Sequence, residues 1–225
     1  STNPSGGWWV VQHPQYIEET AFGVFPTTPT MRWIGPSESW DPRAEKPPIE
    51  IRQLGSEDPR FLLEGRQNYS FTLEHFMQDT THAKEWVQYA LNAQGGGASA
   101  HNIDKSVSLA MAIRMGGSGG TLYYYQMKGC RPNSVTVSGR INEAVRCRME
   151  LLCRQIPTPG TVSPVGLWET DPSLGDPTKT PHIFTSGGAN PITVGGAAVP
   201  ATEITCTIER NLEPIYVLGS GLVQW

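Results

Sequence analysis

Between residues 106 and 115 the chain alternates without a break. Val107, Leu109, Met111, Ile113 and Met115 fall on one side, and Ser106, Ser108, Ala110, Ala112 and Arg114 on the other. A period of two over this length predicts a β-strand with one face buried. A glycine-rich bend, Gly116 to Gly120, leads into Thr121–Cys130, so the two runs read as a long hairpin. Asn133–Ser138 and Ala144–Arg154 form a second predicted pair. In the latter, Val145, Cys147, Met149, Leu151 and Cys153 oppose Arg146, Arg148, Glu150 and Arg154. Tyr69–Met77 alternates in the same way, with Tyr69, Phe71, Leu73, His75 and Met77 on one face. Ile49–Leu54 and Phe61–Glu64 are short strands, and Thr202–Glu209 is the last one.

The period changes to 3.6 only at residues 80–93. There Ala83, Trp86, Val87, Ala90 and Leu91 form one stripe, Asp79 to Thr81 offer N-caps, and Gly95 to Gly97 end the run. Residues 1–48 lack sustained periodicity and are rich in Pro, Gly, Trp and Thr, so they read as an extended N-terminal arm. Residues 49–225 read as one β domain, interrupted at about 157–200 by a long loop rich in Pro, Gly and Thr. The expected fold is mainly β: an antiparallel β-sandwich or barrel with one flanking α-helix and long hairpins.

Composition supports this reading. In 225 residues there are 24 Gly and 19 Pro, and charged residues make up 17%, which disfavours a helical bundle or coiled coil. No apolar run approaches the ~18 residues of a membrane helix, and no basic-then-apolar opening suggests an export signal. The net charge of −4 is uneven. Residues 1–104 carry 7 Lys/Arg against 13 Asp/Glu, whereas 105–225 carry 10 against 8. A basic block interleaved with β-alternation can meet nucleic acid or an acidic surface on another subunit. Cys130, Cys147, Cys153 and Cys206 form no CxxC pair. They lie in apolar strand-like runs, where reduced thiols act as small buried hydrophobes.

Reactive constellations are missing from the pattern. His13, His75, His82, His101 and His182 are scattered, and His75 and His82 bracket Asp79 without a metal-binding spacing, so a hydrogen-bonded histidine is expected at 75. Glu18-Glu19 and Glu57-Asp58 are adjacent, and on a strand neighbours point to opposite faces, which suits no acid/base couple. There is neither a GxSxG elbow nor a GxxxxGK[ST] loop, and Gly116 to Gly120 precedes strand material rather than a helix. Tyr123, Tyr124 and Tyr125 near Lys128 and Arg131 would suit base stacking, but alternation splits them between two faces. No catalytic, cofactor or metal site is expected, and no enzyme.

Four blocks do carry a resemblance. They are Ile17-Glu-Glu-Thr-Ala-Phe-Gly23 with Pro26 and Pro29, the strand–turn–helix order over 61–92, KGCRPNSVTVSGRINEAVRCRMELLC at 128–153, and Ile208-Glu-Arg-Asn-Leu-Glu-Pro-Ile-Tyr-Val-Leu-Gly219. In this order they resemble the phage tail tube (major tail) protein family. The resemblance implies a structural subunit of a bacteriophage or archaeal virus. Such a subunit assembles with itself into stacked, usually hexameric rings whose lumen conducts double-stranded DNA during ejection. Implied partners are further copies, the tail terminator, the baseplate or tip and the tape-measure protein, with no membrane. The implied location is the virion tail after assembly in the host cytoplasm.

Within that frame Arg146, Arg148 and Arg154 are expected to meet acidic neighbouring subunits. Trp8, Trp9 and Trp33 of the arm are further candidate inter-subunit residues, and Ser70, Thr72, Glu74, Ser106 and Ser108 are lumen candidates. The arm and the 157–200 loop are candidate inter-ring contacts. Family members usually continue past the Leu-Gly segment, whereas this sequence ends at Trp225, which leaves a short variant, a truncated chain or pairing supplied by another chain. Two other readings stand beside this one: an inner-tube subunit of a contractile injection system, and a monomeric ligand-binding β-sandwich whose seven Trp and seven Tyr would stack on sugars.

Overall fold

The computed structural model describes residues 8–27, 31–55, 57–63, 65, 67–78, 85–91, 106–115, 120–157, 160–161, 181, 183, 193–194, 197–198, 201–213, 215–216 and 223–224. In chain order the elements are β1 (Trp8–Glu18), β2 (Arg32–Trp33), β3 (Ser37–Glu45), β4 (Ile49–Ile51), β5 (Phe61–Leu63), β6 (Asn68–Phe76), α1 (Glu85–Ala90), β7 (Val107–Met115) and β8 (Thr121–Arg140). They continue with β9 (Arg146–Cys153), β10 (Thr193–Val194), β11 (Ala197–Ala198), β12 (Glu203–Glu209), β13 (Ile215–Tyr216) and β14 (Val223–Gln224). Eight strands make one curled antiparallel sheet in the order β2-β1-β7-β8-β9-β6-β3, with β12 paired to β8 as well. The mainly β, antiparallel expectation is what the structure has. Residues 8–18, 32–33 and 37–45, read from the sequence as pieces of an arm, are strands of this sheet. Their irregular side-chain pattern reflects register shifts in β1 and an exposed edge position for β3.

β8 organises the sheet. Sequence reading broke it at Arg131-Pro132 into two strands, whereas the structure has a single strand of 20 residues. Its first half pairs with β7, from Met115↔Thr121 to Val107↔Cys130, and its second half with β9 and β12. Two bulges let the strand turn from one partner set to the other. The first skips a residue between the Val107 and Leu109 pairings, where Gly129 takes φ 62°. The second falls between Pro132 and Ser134. A bulge tolerates a glycine in the left-handed region and a proline without an N–H, so the residues that look like strand breakers are bend residues.

The curl buries one core. Tyr16, Leu109 and Met127 from the β1-β7-β8 half meet Phe71, Leu73, Met149 and Leu151 from the β9-β6 half. The short helix α1 packs among them, with Trp86 fully buried 4.9 Å from Tyr16 and 5.6 Å from Tyr89. Six residues are too few for an isolated helix in water, so tertiary packing stabilises this one. Tyr89 Oη donates to Glu18 Oε1 at 2.7 Å and fixes the helix to the end of β1. Of the predicted stripe, Trp86, Val87 and Ala90 face inward, but Leu91 is 57% exposed because it lies just past the helix end. Ala83, the predicted caps and residues 80–84 and 92–93 lie outside the described residues. Cys130, Cys147 and Cys153 are buried free thiols as expected, with Cys130 Sγ donating to Cys153 Sγ at 2.9 Å. Burial pushes the Cys130 thiol well up, and Cys147 up to about 12. Cys206 departs from the expectation: it is exposed, because β12 overhangs the core.

The first bulge is tied from the side. Just beyond β1, the Glu19 carboxylate accepts hydrogen bonds from Gly129 N at 2.8 Å, Gly23 N at 2.7 Å and the hydroxyls of Ser106 and Ser108, while Glu19 N donates to Ser106 O at 2.9 Å. Phe22, in the tight turn that follows, lies 4.7 Å from the Arg131 guanidinium and 5.5 Å from that of Arg154. Arg154 Nη1 donates to Phe22 O at 2.6 Å. A Cβ on Gly129 would stand 2.5 Å from Arg154 Cβ and 3.1 Å from the Phe22 ring.

Three tests by urea denaturation follow from this account. Glu19→Ala, which strips acceptors from buried donors, is expected to cost about 3–4 kcal/mol. Gly129→Ala combines left-handed strain with a backbone-level clash and is expected to cost about 3 kcal/mol; Gly55→Ala, also at positive φ but with open space around it, about 1 kcal/mol. An equal cost at the two glycines would show that the close approach at Gly129 contributes nothing. His75 provides the third test. Instead of a hydrogen-bonded junction residue it is a core residue of β6, fully buried, with neither ring nitrogen hydrogen-bonded among the described residues. Burial lowers its pKa from 6.5 to about 4. The stability that the neutral ring supplies is complete above pH 6.5 and is lost as pH falls through about 4. Between pH 7 and 4 the wild type is expected to lose on the order of 2–3 kcal/mol more than His75→Leu. Parallel pH profiles for the two proteins would refute this.

Candidate functional site

The second half of β8 and its neighbours form a five-stranded surface, β12-β8-β9-β6-β3, and its two faces differ sharply. Inward lie Val135, Cys147, Met149, Leu151, Phe71, Leu73 and His75. The register places the alternate residues together on the outer face: Thr205 beside Ser138, Thr207 beside Thr136, Arg148 beside Glu74, Glu150 beside Thr72, and Leu152 beside Ser70. Thr136 and Thr207 share a hydroxyl–hydroxyl hydrogen bond of 3.1 Å across the strands. Apart from Phe76 and Leu152, this face is Ser, Thr, Asn, Asp, Glu and Arg, because the period of two puts every second residue of each strand on it.

Each of the four arginines on that face has a carboxylate partner in the same chain. Arg146 Nη1 lies 3.0 Å from Glu38 and 3.5 Å from Glu74, with its guanidinium 5.3 Å over the Phe76 ring. Arg148 lies 3.7 Å from Glu150, Arg140 lies 3.2 Å from Glu203, and Arg43 lies 2.9 Å from Asp41. The remaining carboxylates, Glu45 and Glu209, leave the face with more acid than base. Among the described residues, a depression of about 300 Å³ lies at the Arg140, Glu143, Arg146 and Glu203 corner.

The sequence-derived candidates separate into three groups here. Ser70, Thr72 and Glu74 do share this polar face, together with Arg146 and Arg148. Ser106 and Ser108 do not: they are 2% and 0% exposed and bind the Glu19 carboxylate, so they line no surface of this chain. The strict alternation of β7 suggested a wet face, but the loop after β1 covers it. Arg154 is likewise turned away from Arg146 and Arg148, against Phe22. The backbones of Trp8, Trp9 and Trp33 pair with Met115, Arg114 and Gln15, and their side chains lie outside the described residues. Sequence reasoning missed Glu19. Its only signal was the Glu-Thr-x-x-Gly-x-x-Pro spacing, which places the Gly23 amide within reach of that carboxylate.

Among the described residues no cluster of His, Cys, Asp or Glu is arranged to hold a metal, and no helix is long and apolar enough to cross a membrane. The described residues thus form a β domain with one broad, polar and net-acidic sheet face. The family is specific: a profile of the phage tail tube proteins matches residues 15–224, and the chain belongs to that family. No curated protein sequence matches it significantly. Among solved structures, a chain of the anti-feeding prophage (AFP) baseplate, determined by cryo-EM and 6-fold symmetrised, aligns at a TM-score of 0.41. The identity is 12%, over 70% of this chain and 96% of that one.

The ion pairs of the outer face are half-exposed, so they set its charge rather than its stability. Arg148→Ala is expected to change the free energy of unfolding by less than about 1 kcal/mol, against several for Glu19→Ala. A urea midpoint shift at Arg148 as large as that at Glu19 would contradict the assignment.

Proposed function

We propose that this chain is a tail tube subunit that assembles with copies of itself into stacked, six-membered rings. In this reading the polar outer face of β12-β8-β9-β6-β3 lines a lumen through which double-stranded DNA passes during ejection. Family membership supports a structural role in the virion tail. The observation that carries the luminal reading is the pairing of Arg43, Arg140, Arg146 and Arg148 with carboxylates of their own chain. Free cations bind phosphates by releasing counterions and would hold a moving duplex, whereas neutralised arginines and an excess of acid let it slide. Sheet topology adds support. β3 and β12 are edge strands of this surface, and lateral joining of copies would remove such edges, as closed barrels do.

The same reading makes terminator, baseplate or tip and tape-measure proteins the partners of the tube ends and interior, with assembly in the host cytoplasm. Trp8, Trp9, Trp33 and the segment 157–200 would serve contacts between subunits or rings. No step in this role requires catalysis.

Electron microscopy of the purified chain across concentration and salt is expected to show rings or stacked tubes with a central hole. A protein that stays monomeric under every condition would overturn the proposal. The face is tested separately with Thr207→Cys in a Cys206→Ser background, where the other three cysteines are buried. A bulky maleimide is expected to label dissociated subunits readily and intact tubes at least tenfold more slowly. Equal labelling would place this face on the outside.

A further inference from the structure

Cys130 and Cys153 face each other where β8 passes to its second set of partners. The bridge Lys128↔Gln155 and the pair Arg131↔Leu152 share one register, which puts Cys130 directly across from Cys153. Opposed residues of an antiparallel pair point to the same face. Here that face is the core: both side chains are fully buried, and the two sulfurs are 2.9 Å apart. A disulfide bond is about 2.05 Å long, so about 1 Å of movement separates contact from bond.

The other two cysteines have no such arrangement. Cys147 and Cys206 both pair with Val137, from opposite sides of β8. Two strand spacings, about 9–10 Å, separate them, beyond the ~7 Å between Cα atoms that a disulfide spans. Cys147 also precedes Cys153 on one extended strand, roughly 20 Å along it.

We propose that Cys130 and Cys153 form a redox-sensitive staple, held as thiols under reducing conditions and closed to a cross-strand disulfide by a small-molecule disulfide of the oxidised-glutathione class. The proposal does not depend on ring formation. One cysteine thiolate attacks a sulfur of the small disulfide, forming a mixed disulfide and expelling a small thiolate. The second cysteine thiolate attacks the protein-side sulfur of that mixed disulfide and expels the other small thiolate. The two protons that the cysteines lose end on the two small thiols, and two electrons pass from protein to oxidant.

The new bond falls next to Gly129 and Arg154, which the Glu19 carboxylate and the Phe22 carbonyl hold. It links residues 23 positions apart, and so restrains the unfolded chain at the point where the folded sheet turns. Cover sets the rate of closure. Burial, the contact with Cys153 and the nearby Glu19 charge all push the Cys130 thiol up, and the thiolate is the attacking species. Oxidation therefore proceeds as the corner opens, during folding or in local unfolding.

The test uses the full chain in a Cys206→Ser background, which removes the exposed thiol. Reduced chain unfolded in urea is diluted into oxidised or reduced glutathione. Remaining thiols are then alkylated in denaturant and the chain is cut with trypsin. Trypsin spares Arg131-Pro132, so peptides 129–140 and 149–154 carry one cysteine each, and Cys147 leaves on a separate dipeptide. In oxidised glutathione most chains are expected to give these two peptides joined, two hydrogens lighter than the pair. In reduced glutathione less than about a tenth of that yield is expected, since the exchange is reversible. The joined protein should melt about 5–10 °C higher than the reduced one. With Cys130→Ala and Cys153→Ala together, the two buffers should give the same melting temperature. Free thiols at 130 and 153 in both buffers, mixed disulfides with glutathione alone, a bond through Cys147, or a joined protein that melts no higher would each overturn the proposal. Peptide mapping and the melting comparison need only the native pair, so they decide the matter even if the double variant fails to fold.

Discussion

One carboxylate sits where the sheet changes direction. β8 must serve β7 along its first half and β9 and β12 along its second, and it turns between them at the Gly129 bulge. A bulge removes a rung from the ladder and leaves an amide without a strand partner. Glu19 accepts that amide and, with the same two oxygens, holds Ser106, Ser108 and Gly23. A charged acceptor serving several buried donors is worth more than the sum of neutral pairs, and its removal strands all of them together. Phe22, between Arg131 and Arg154, closes the same corner by packing.

That corner decides which surfaces remain for function. Because the chain after β1 folds over Ser106 and Ser108, the β7 half of the sheet is covered on both faces there. The β12-β8-β9-β6-β3 half keeps one bare face, and on it the arginines are neutralised one by one within the chain. Such a surface is polar enough to stay wet and too well paired to grip an anion. Meanwhile the apolar material that the core does not use is concentrated on the β4–β5 ribbon, away from the polar face.

Strand identity was legible where alternation was strict. Tyr69–Met77, 106–115 and Ala144–Arg154 read correctly because half-buried strands sort their side chains by face, and β6, β7 and β9 do so. The break at Arg131-Pro132 read wrongly because proline and glycine signal a turn in sequence, while two bulges can absorb both inside one strand. β1 and β3 were hard to see for a related reason: bulged or edge strands need not alternate apolar and polar residues. The lumen candidates divide along the same line. Ser70, Thr72 and Glu74 and the two serines 106 and 108 have the same local pattern, and only the covering loop distinguishes them.

By itself, then, the sequence determined the period-two elements, the mainly β class, the lack of a reactive constellation in its motifs and the family resemblance carried by its four blocks. These depend on neighbours a few residues apart, which a linear pattern records. The tertiary structure alone decided that β8 is continuous, that Glu19 is an internal acceptor rather than a surface acid, and that Arg154 parts company with Arg146 and Arg148. Each of these depends on pairs tens to more than a hundred residues apart, such as Glu19 with Gly129 and Phe22 with Arg154. Burial and partner choice at that range are set by how the sheet curls, and no local spacing encodes the curl.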